Sequence, residues 1–337
     1  MPKIAYTTLG CKLNFSESTS IARKFVDEGF DIVKYGENAD ITIINTCTVT
    51  AQAERKSKLA VKKAKKISPE GKIVVVGCAA QLRPDKFAKI EGVNLVLGTK
   101  DKFNALELLK NEQKPKIYSC DIDSVNNFDN AFSINERTRS FLKIQDGCDY
   151  VCTYCTIPKA RGKSRNASII NIIKDAKTIA ANGIKEIILT GVNIGDFGKS
   201  TKETFFDLLK ELDKIEGVER YRISSIEPNL LTDEIIDFVA KSDKFMPHFH
   251  IPLQSGSNDV LSLMKRRYNA QKFVERIKKA KEANSDTFFG IDVIVGFPGE
   301  TQENFEQTFA LLESLPISYL HLFPYSDRPG TISNEIK

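Results

Sequence analysis

Short apolar runs that alternate with helix-periodic segments constrain this chain more than any other feature. In the first 110 residues, "KIAYTTLG", "DITIINTC", "KIVVVGC" and "NLVLGT" read as strands. Between and after them, "SESTSIARKFVDEGF" (with Ile21 and Phe25 at helical spacing), a basic segment and "KFNALELLK" read as helices. This alternation predicts an α/β fold, with a doubly wound, Rossmann- or flavodoxin-like parallel sheet over residues 1–110. Residues 111–139 lose periodicity, gain Asn, Asp and Ser, and are expected to form a connector. From 140 to 337 a second series begins, with strand candidates "FLKIQ", "EIILTG", "RYRISSI", "HFHIPL", "FGIDVIVGF" and "SYLHLFPYS". A complete barrel needs eight βα units. Six predict a partial (β/α)6 barrel.

The 337 residues are enough for two domains with a substantial core. The start, "MPKIAYTTLG", lacks the basic-then-apolar pattern of a signal peptide, and no stretch nears the roughly 20 apolar residues of a membrane span. A cytoplasmic protein with no membrane partner is expected. In that compartment, clustered cysteines are metal ligands or catalytic thiols rather than disulfides. The net charge of +5 is mild, but "ERKSKLAVKKAKK" (54–66) holds seven Lys/Arg against one Glu. Such a run is either a solvated helix face or a surface for phosphate.

Three of the seven cysteines, Cys148, Cys152 and Cys155, stand as C-x3-C-x2-C just after the first strand of the second series. Strand carboxyl ends are where parallel α/β sheets bind ligands. Structural zinc takes four ligands, usually as two separated pairs, and no His or Cys follows at that spacing. Three thiolates suit a 4Fe-4S cube with one iron open, since such clusters ordinarily take four cysteines. Cys11, Cys47 and Cys78 are scattered in sequence, yet each ends a strand: "TTLGC", "IINTC" and "VVVGC". Parallel strands lie about 4.8 Å apart, so the three thiolates can converge into a second open site. Cys120 fits neither pattern. His248 and His250 lie on one side of a strand and are read as packed, hydrogen-bonded groups rather than metal ligands.

C-x3-C-x2-C with Tyr154 before its last cysteine resembles the signature of radical S-adenosylmethionine (SAM) enzymes. The resemblance implies that SAM chelates the open iron and is cleaved to a 5′-deoxyadenosyl radical. "TTLGCKLN", "INTCTVT" and "VVGCAAQ" resemble the N-terminal domain of the methylthiotransferase branch of those enzymes. "TGVNIGDFG" (190–198), "SSIEP" (224–228), "HIPLQSGS" (250–257) and "DVIVGFPGET" (292–301) extend the likeness over essentially the whole chain. "GCKLN" looks most like the tRNA N6-threonylcarbamoyladenosine type; isopentenyladenosine and ribosomal-protein aspartate are the alternatives within the family. The family usually ends in a small RNA-binding β-barrel (TRAM), expected here to be absent or truncated.

The resemblance implies two 4Fe-4S clusters. Cys148, Cys152 and Cys155 would hold the radical-generating one, and Cys11, Cys47 and Cys78 an auxiliary one that presents sulfur. It implies SAM contacts from Tyr154, Gly191, Asn193, Ser224, Glu227, Gln254, Arg266 and Val295. It also implies tRNA as substrate, with Lys62, Lys63 and Lys66 as candidate phosphate contacts, and an electron donor such as flavodoxin or ferredoxin. A non-catalytic iron–sulfur or zinc RNA-binding protein is the reading from another class.

Overall fold

Six parallel strands form the first sheet: β1 (Lys3–Thr8), β2 (Asp31–Val33), β3 (Ile41–Thr46), β4 (Lys72–Gly77), β5 (Val93–Leu97) and β6 (Ile117–Tyr118). Their order is β2-β1-β3-β4-β5-β6, so the winding reverses at β1. The computed structural model describes residues 1–110, 116–134 and 138–336. Two compact units result. The first is Met1–Glu136, Gly147–Asp149 and Thr156–Lys163; the second is Arg137–Asp146, Tyr150–Cys155 and Ser164–Lys337.

In the first unit, helices cover both faces of the sheet. α1 (Lys12–Asp27) buries Ile21 and Phe25 against Ile4, Ile43, Val74 and Val76, together with Leu106 of a short helix, α5 (Ala105–Lys110). On the other face, α2 (Ala51–Ile67), α3 (Cys78–Leu82) and α4 (Pro84–Ala88) bury Val61, Ala79 and Phe87 against Ile44, Ile73, Val75 and Val96. The run "KIVVVG" alternates Ile73 and Val75 to one face and Val74 and Val76 to the other. A strand covered on both sides must therefore be apolar throughout. Full burial of each such side chain is worth about 1.5–3 kcal/mol.

Part of the stretch expected to be a connector joins this unit. β6 pairs with β5, and Phe132 accepts hydrogen bonds from α1 through Ser20 and Arg23. Two residues of strand and a few carbonyl contacts carry no periodicity, so composition does not reveal them. Residues 111–115 and 135–137 of that stretch lie outside the described residues. A short helix, α6 (Ile157–Arg161), also belongs to the first unit, although it follows the clustered cysteines.

The second unit contains β7 (Ser140–Lys143), a two-stranded ladder of β8 (Gln145–Asp146) and β9 (Arg165–Asn166), and five further strands. These are β10 (Glu186–Thr190), β11 (Arg220–Ile223), β12 (His248–Gln254), β13 (Phe288–Val295) and β14 (Tyr319–Pro324). The strands β7, β10 and β11 form one parallel sheet, and β12, β13 and β14 another. Parallel bridges Tyr221↔Phe245 and Ser225↔His250 span the interval between them. Six parallel strands thus follow in chain order, as expected of a partial barrel.

Six helices alternate with these strands: α7 (Ile169–Ala181), α8 (Phe205–Asp213), α9 (Asp233–Lys241), α10 (Asn258–Leu263), α11 (Ala270–Ala283) and α12 (Gln302–Glu313). Side-chain hydroxyls or amides cap most of their starts, with a full capping box at Thr301 and Asn304. Among the described residues, no helix is long and apolar enough to cross a membrane.

Candidate functional site

The first unit gathers the scattered cysteines at the carboxyl edge of its sheet. Thr46 pairs with Gly77, so Cys47 and Cys78 follow adjacent registered positions on β3 and β4. Cys11 departs from the expected pattern: Leu9 and Gly10 separate it from the end of β1, and it is the N-cap of α1. The Leu9 N–H still bonds to Asn45 O at 2.9 Å, and the chain then turns at Gly10, whose φ is +101°. A Cβ on Gly10 would come within 2.9 Å of Cys47 Sγ, and one on Gly77 (φ +98°) within 2.3 Å of Asn45 Oδ1. The Gly-Cys pairs are thus steric requirements for bringing the thiols together. β1 and β3 flank the point where strand order reverses, the usual ligand crevice of a doubly wound sheet.

Burial pushes the Cys47 thiol up to about 12, aided by neighbouring Cys78 and Cys11 and opposed by the Val49 N–H and Arg161. The Cys78 thiol is likewise raised by burial, against the pull of the Arg161 cation. Arg161 is buried, and its Nε donates to Cys78 Sγ at 3.2 Å. Its Nη atoms reach Glu17 Oε1 at 3.0 Å and Asn14 Oδ1 at 2.5 Å. Lys102 Nζ also bonds to Glu17, at 2.7 Å. Asn14 lies in "GCKLN", and its Nδ2 donates to Leu9 O and Thr46 O, tying the loops after β1 and β3 together.

These residues fit a metal–sulfur group. Three soft donors stand at one edge of the sheet, close enough that Cys11 bears on the ionisation of both Cys47 and Cys78, and a buried cation faces Cys78. Burial alone would leave the thiols protonated; a bound cationic cluster reverses that preference. Sequence reasoning missed Arg161, Glu17 and Lys102. Nothing in "KARGK" signals a partner 83 residues upstream.

The clustered cysteines divide between the units. Cys148 belongs to the first, where its N–H bonds to Gly162 O at 2.9 Å. Cys152 and Cys155 belong to the second. There the Cys155 N–H bonds to Cys152 O, and Arg266 Nη1 lies 3.0 Å from Cys152 Sγ. Arg266 also forms an ion pair with Glu227 and approaches Tyr154 Oη at 3.4 Å. Its Nε donates to Tyr268 Oη at 3.2 Å. Burial pushes the Glu227 carboxyl up, with Arg266 pulling it back. Three of the residues expected to contact SAM (Tyr154, Glu227, Arg266) therefore form one network around Cys152, and that network fits a thiolate-bound group.

The other expected contacts lie near their strand ends. Gly191 and Asn193 follow β10, where Gln145 Oε1 accepts from the Val192 and Asn193 N–H groups at 2.9 Å each. Asn193 Nδ2 donates to Asp196, whereas its buried Oδ1 has no hydrogen-bond partner among the described residues. Ser224 is buried just past β11, and Val295 ends β13. Gln254 ends β12 after a bulge, with φ at +65°, a strained conformation for a side chain of that size. Lys62, Lys63 and Lys66 are exposed on α2. They lie 12 or more residues past its cap at Thr50, so about 18 Å from the cysteine edge at 1.5 Å per residue. Arg55 and Lys56, also exposed, are the cations of that helix nearer the edge.

Comparison with known proteins agrees with both units. Residues 142–312 match the Radical SAM superfamily, and residues 3–98 match "Uncharacterized protein family UPF0004". Threonylcarbamoyladenosine tRNA methylthiotransferase MtaB of Bacillus subtilis is 42% identical, over 98% of this chain and 75% of that protein. The Aquifex aeolicus protein of the same name is 39% identical, over 99% and 83%. A tRNA-2-methylthio-N(6)-dimethylallyladenosine synthase of Hydrogenobaculum is 35% identical, over 96% and 77%. In fold, the radical S-adenosylmethionine methyltransferase TsrM of Kitasatospora setae superposes with a TM-score of 0.73 at 13% identity, over 99% of this chain and 77% of that one. Relatives this similar span the cysteine-bearing sheet and the barrel alike, and the chain belongs to the radical SAM methylthiotransferase family.

Proposed function

We propose that the protein transfers a methylthio group to C2 of N6-threonylcarbamoyladenosine at position 37 of tRNA. In this reading the reaction is cytoplasmic and draws electrons from a flavodoxin- or ferredoxin-like donor. What supports this reading is a second set of three cysteines, Cys11, Cys47 and Cys78 at one edge of the first unit's sheet, in a chain that also has C-x3-C-x2-C. One three-thiol set accounts for radical generation. A second, beside a buried Arg161, calls for a second group, and a sulfur donor supplies the reason.

The target carbon bears an unactivated C–H bond, where side-chain acid–base catalysis, worth about 10²–10⁴, gives no route to a C–S bond. When bound, the two clusters and SAM supply the radical and the sulfur that the side chains lack. Cys148, Cys152 and Cys155 hold one cluster, and Cys11, Cys47 and Cys78 the other. Arg161 offsets part of the burial penalty on the Cys78 thiolate. Arg266, beside Cys152 and paired with Glu227, would hold the SAM carboxylate. Asn193, whose buried Oδ1 has no partner among the described residues, would accept from the SAM amino group. Tyr154, Gly191, Ser224, Gln254 and Val295 line the remainder of that site. Lys62, Lys63 and Lys66 meet tRNA phosphate.

Relatives named for threonylcarbamoyladenosine are 36–42% identical, and those named for dimethylallyladenosine 34–35%. The test is mass spectrometry of tRNA nucleosides from cells lacking the protein and from complemented cells. Loss of the methylthio form of threonylcarbamoyladenosine, restored on complementation, is expected. Loss of the methylthio isopentenyl form instead moves the substrate to the other tRNA type. If both persist, the proposed substrate is wrong.

A further inference from the structure

The last three strands of the second unit bring together a group that the chemistry above does not use. His250 on β12, Asp292 on β13 and His321 on β14 present their side chains on one face of this sheet. Asp292 and His321 are registered partners, and Pro252 is the partner of Asp292 on β12. His250 Nε2 lies 2.8 Å from Asp292 Oδ1, and His321 Nδ1 lies 3.0 Å from the same oxygen. The three donor atoms all fall within 4.8 Å of one another. The neighbouring residues Ile251 and Val293 are fully buried on the opposite, helix-covered face. The His250 and Asp292 side chains are 20% exposed, and that of His321 41%. These groups are within reach of water, so mutual hydrogen bonding is not forced on them by burial.

We propose that His250, Asp292 and His321 form a binding site for a divalent first-row transition ion such as Zn²⁺, distinct from the cysteine sites. Two imidazole nitrogens and one carboxylate oxygen are the donors such ions take, and three protein ligands leave further positions open to water or substrate. Bonds of about 2.0–2.1 Å at a tetrahedral centre put donors about 3.3 Å apart. The observed contacts need to open by only a few tenths of an ångström. The His321 ring is fixed by an edge contact with Tyr319, centroids 4.4 Å apart.

The test uses protein reconstituted anaerobically with iron and sulfide, so that its cysteines are occupied. It is incubated with ZnCl₂, desalted and assayed for zinc, and the coordination is read by zinc-edge X-ray absorption. About one zinc per chain is expected, with a nitrogen/oxygen shell at about 2.0–2.1 Å and no sulfur at about 2.3 Å. Asp292→Asn and His250→Ala should each cut retained zinc at least about tenfold, as loss of one of three ligands implies. His321→Ala, on a half-exposed edge strand, should do the same with unchanged iron content and circular dichroism. A sulfur shell, failure to retain zinc, or retention undiminished in the folded variants would overturn the proposal.

Discussion

At the scale of single residues, the thiols of the first unit differ in ways that chemistry can read. With its pKa near 12, Cys47 is neutral at pH 7.5. Its thiolate fraction lies about three orders of magnitude below that of an ordinary cysteine near 8.5. In cluster-free protein, iodoacetamide should therefore label exposed Cys11 first and Cys47 far more slowly. Labelling of Cys47 should rise about tenfold per pH unit, because the raised value leaves deprotonation incomplete until about pH 12. Peptide mass spectrometry across a pH series checks this, and equal rates at Cys11 and Cys47 would contradict it.

Arg161 gives a second residue-scale expectation. Removing one partner of a buried ion pair costs about 3–5 kcal/mol, and Arg161 and Glu17 are both buried. Arg161→Gln should lower stability to denaturant by that order. In a background lacking Cys148, Cys152 and Cys155, it should also lower iron content below the about four per chain of one cluster. Iron retained at the parent level would show that the guanidinium is only a packing group. The strand-end placement of Cys47 and Cys78 was legible in sequence because each follows a strand-like run, whereas Cys11 sits two residues past β1 at a helix cap. Arg161 was not, because its role depends on a return of the chain that no local pattern records.

At the scale of elements, the turn after β1 and the helix α2 carry the expectations. Gly10→Ala places a methyl against Cys47 Sγ in a left-handed turn. The backbone cost is about 1–2 kcal/mol, and the iron bound by this trio should fall with it; Gly29→Ala, where space is open, is the control for the backbone term. Along α2, Lys62→Ser, Lys63→Ser and Lys66→Ser together should weaken tRNA binding and flatten its salt dependence, each lost phosphate contact removing about 0.9 from the log–log slope for a duplex. Arg55→Ser with Lys56→Ser tests the end nearer the cysteines. If the first set leaves both affinity and slope unchanged, its three lysines are merely solvated. Element type was well predicted where runs were long, as in β4 and α1. β6 escaped because two residues carry no period, and the His–Asp–His group escaped because its members come from three strands.

At the scale of the whole molecule, parallel alternation was enough to anticipate both α/β units, because covered parallel strands must be apolar and their crossovers amphipathic. Reconstitution should give about eight irons per chain, falling to about four when either cysteine trio is replaced by alanine. Colorimetric iron and sulfide assays measure this, and tight zinc in place of iron would instead favour a non-catalytic protein. What the alternation did not reveal is that the chain leaves the first unit and comes back to it, so that the unit draws on Gly147–Asp149 and Thr156–Lys163.

That return imposes an order on synthesis. When residue 136 emerges from the ribosome, the sheet has already emerged, but the arginine that faces Cys78 has not. At about 5–20 residues per second, another 25 residues take about one to five seconds. During that interval Glu17 has Lys102 for company but lacks its guanidinium, and the three thiols are open to oxidation or to stray metal. A fragment ending at the apparent boundary would remain in that condition permanently. The surroundings of Cys78 are thus complete only after the chain has begun its second unit, and a chain cut at residue 136 should hold iron less well than the full one.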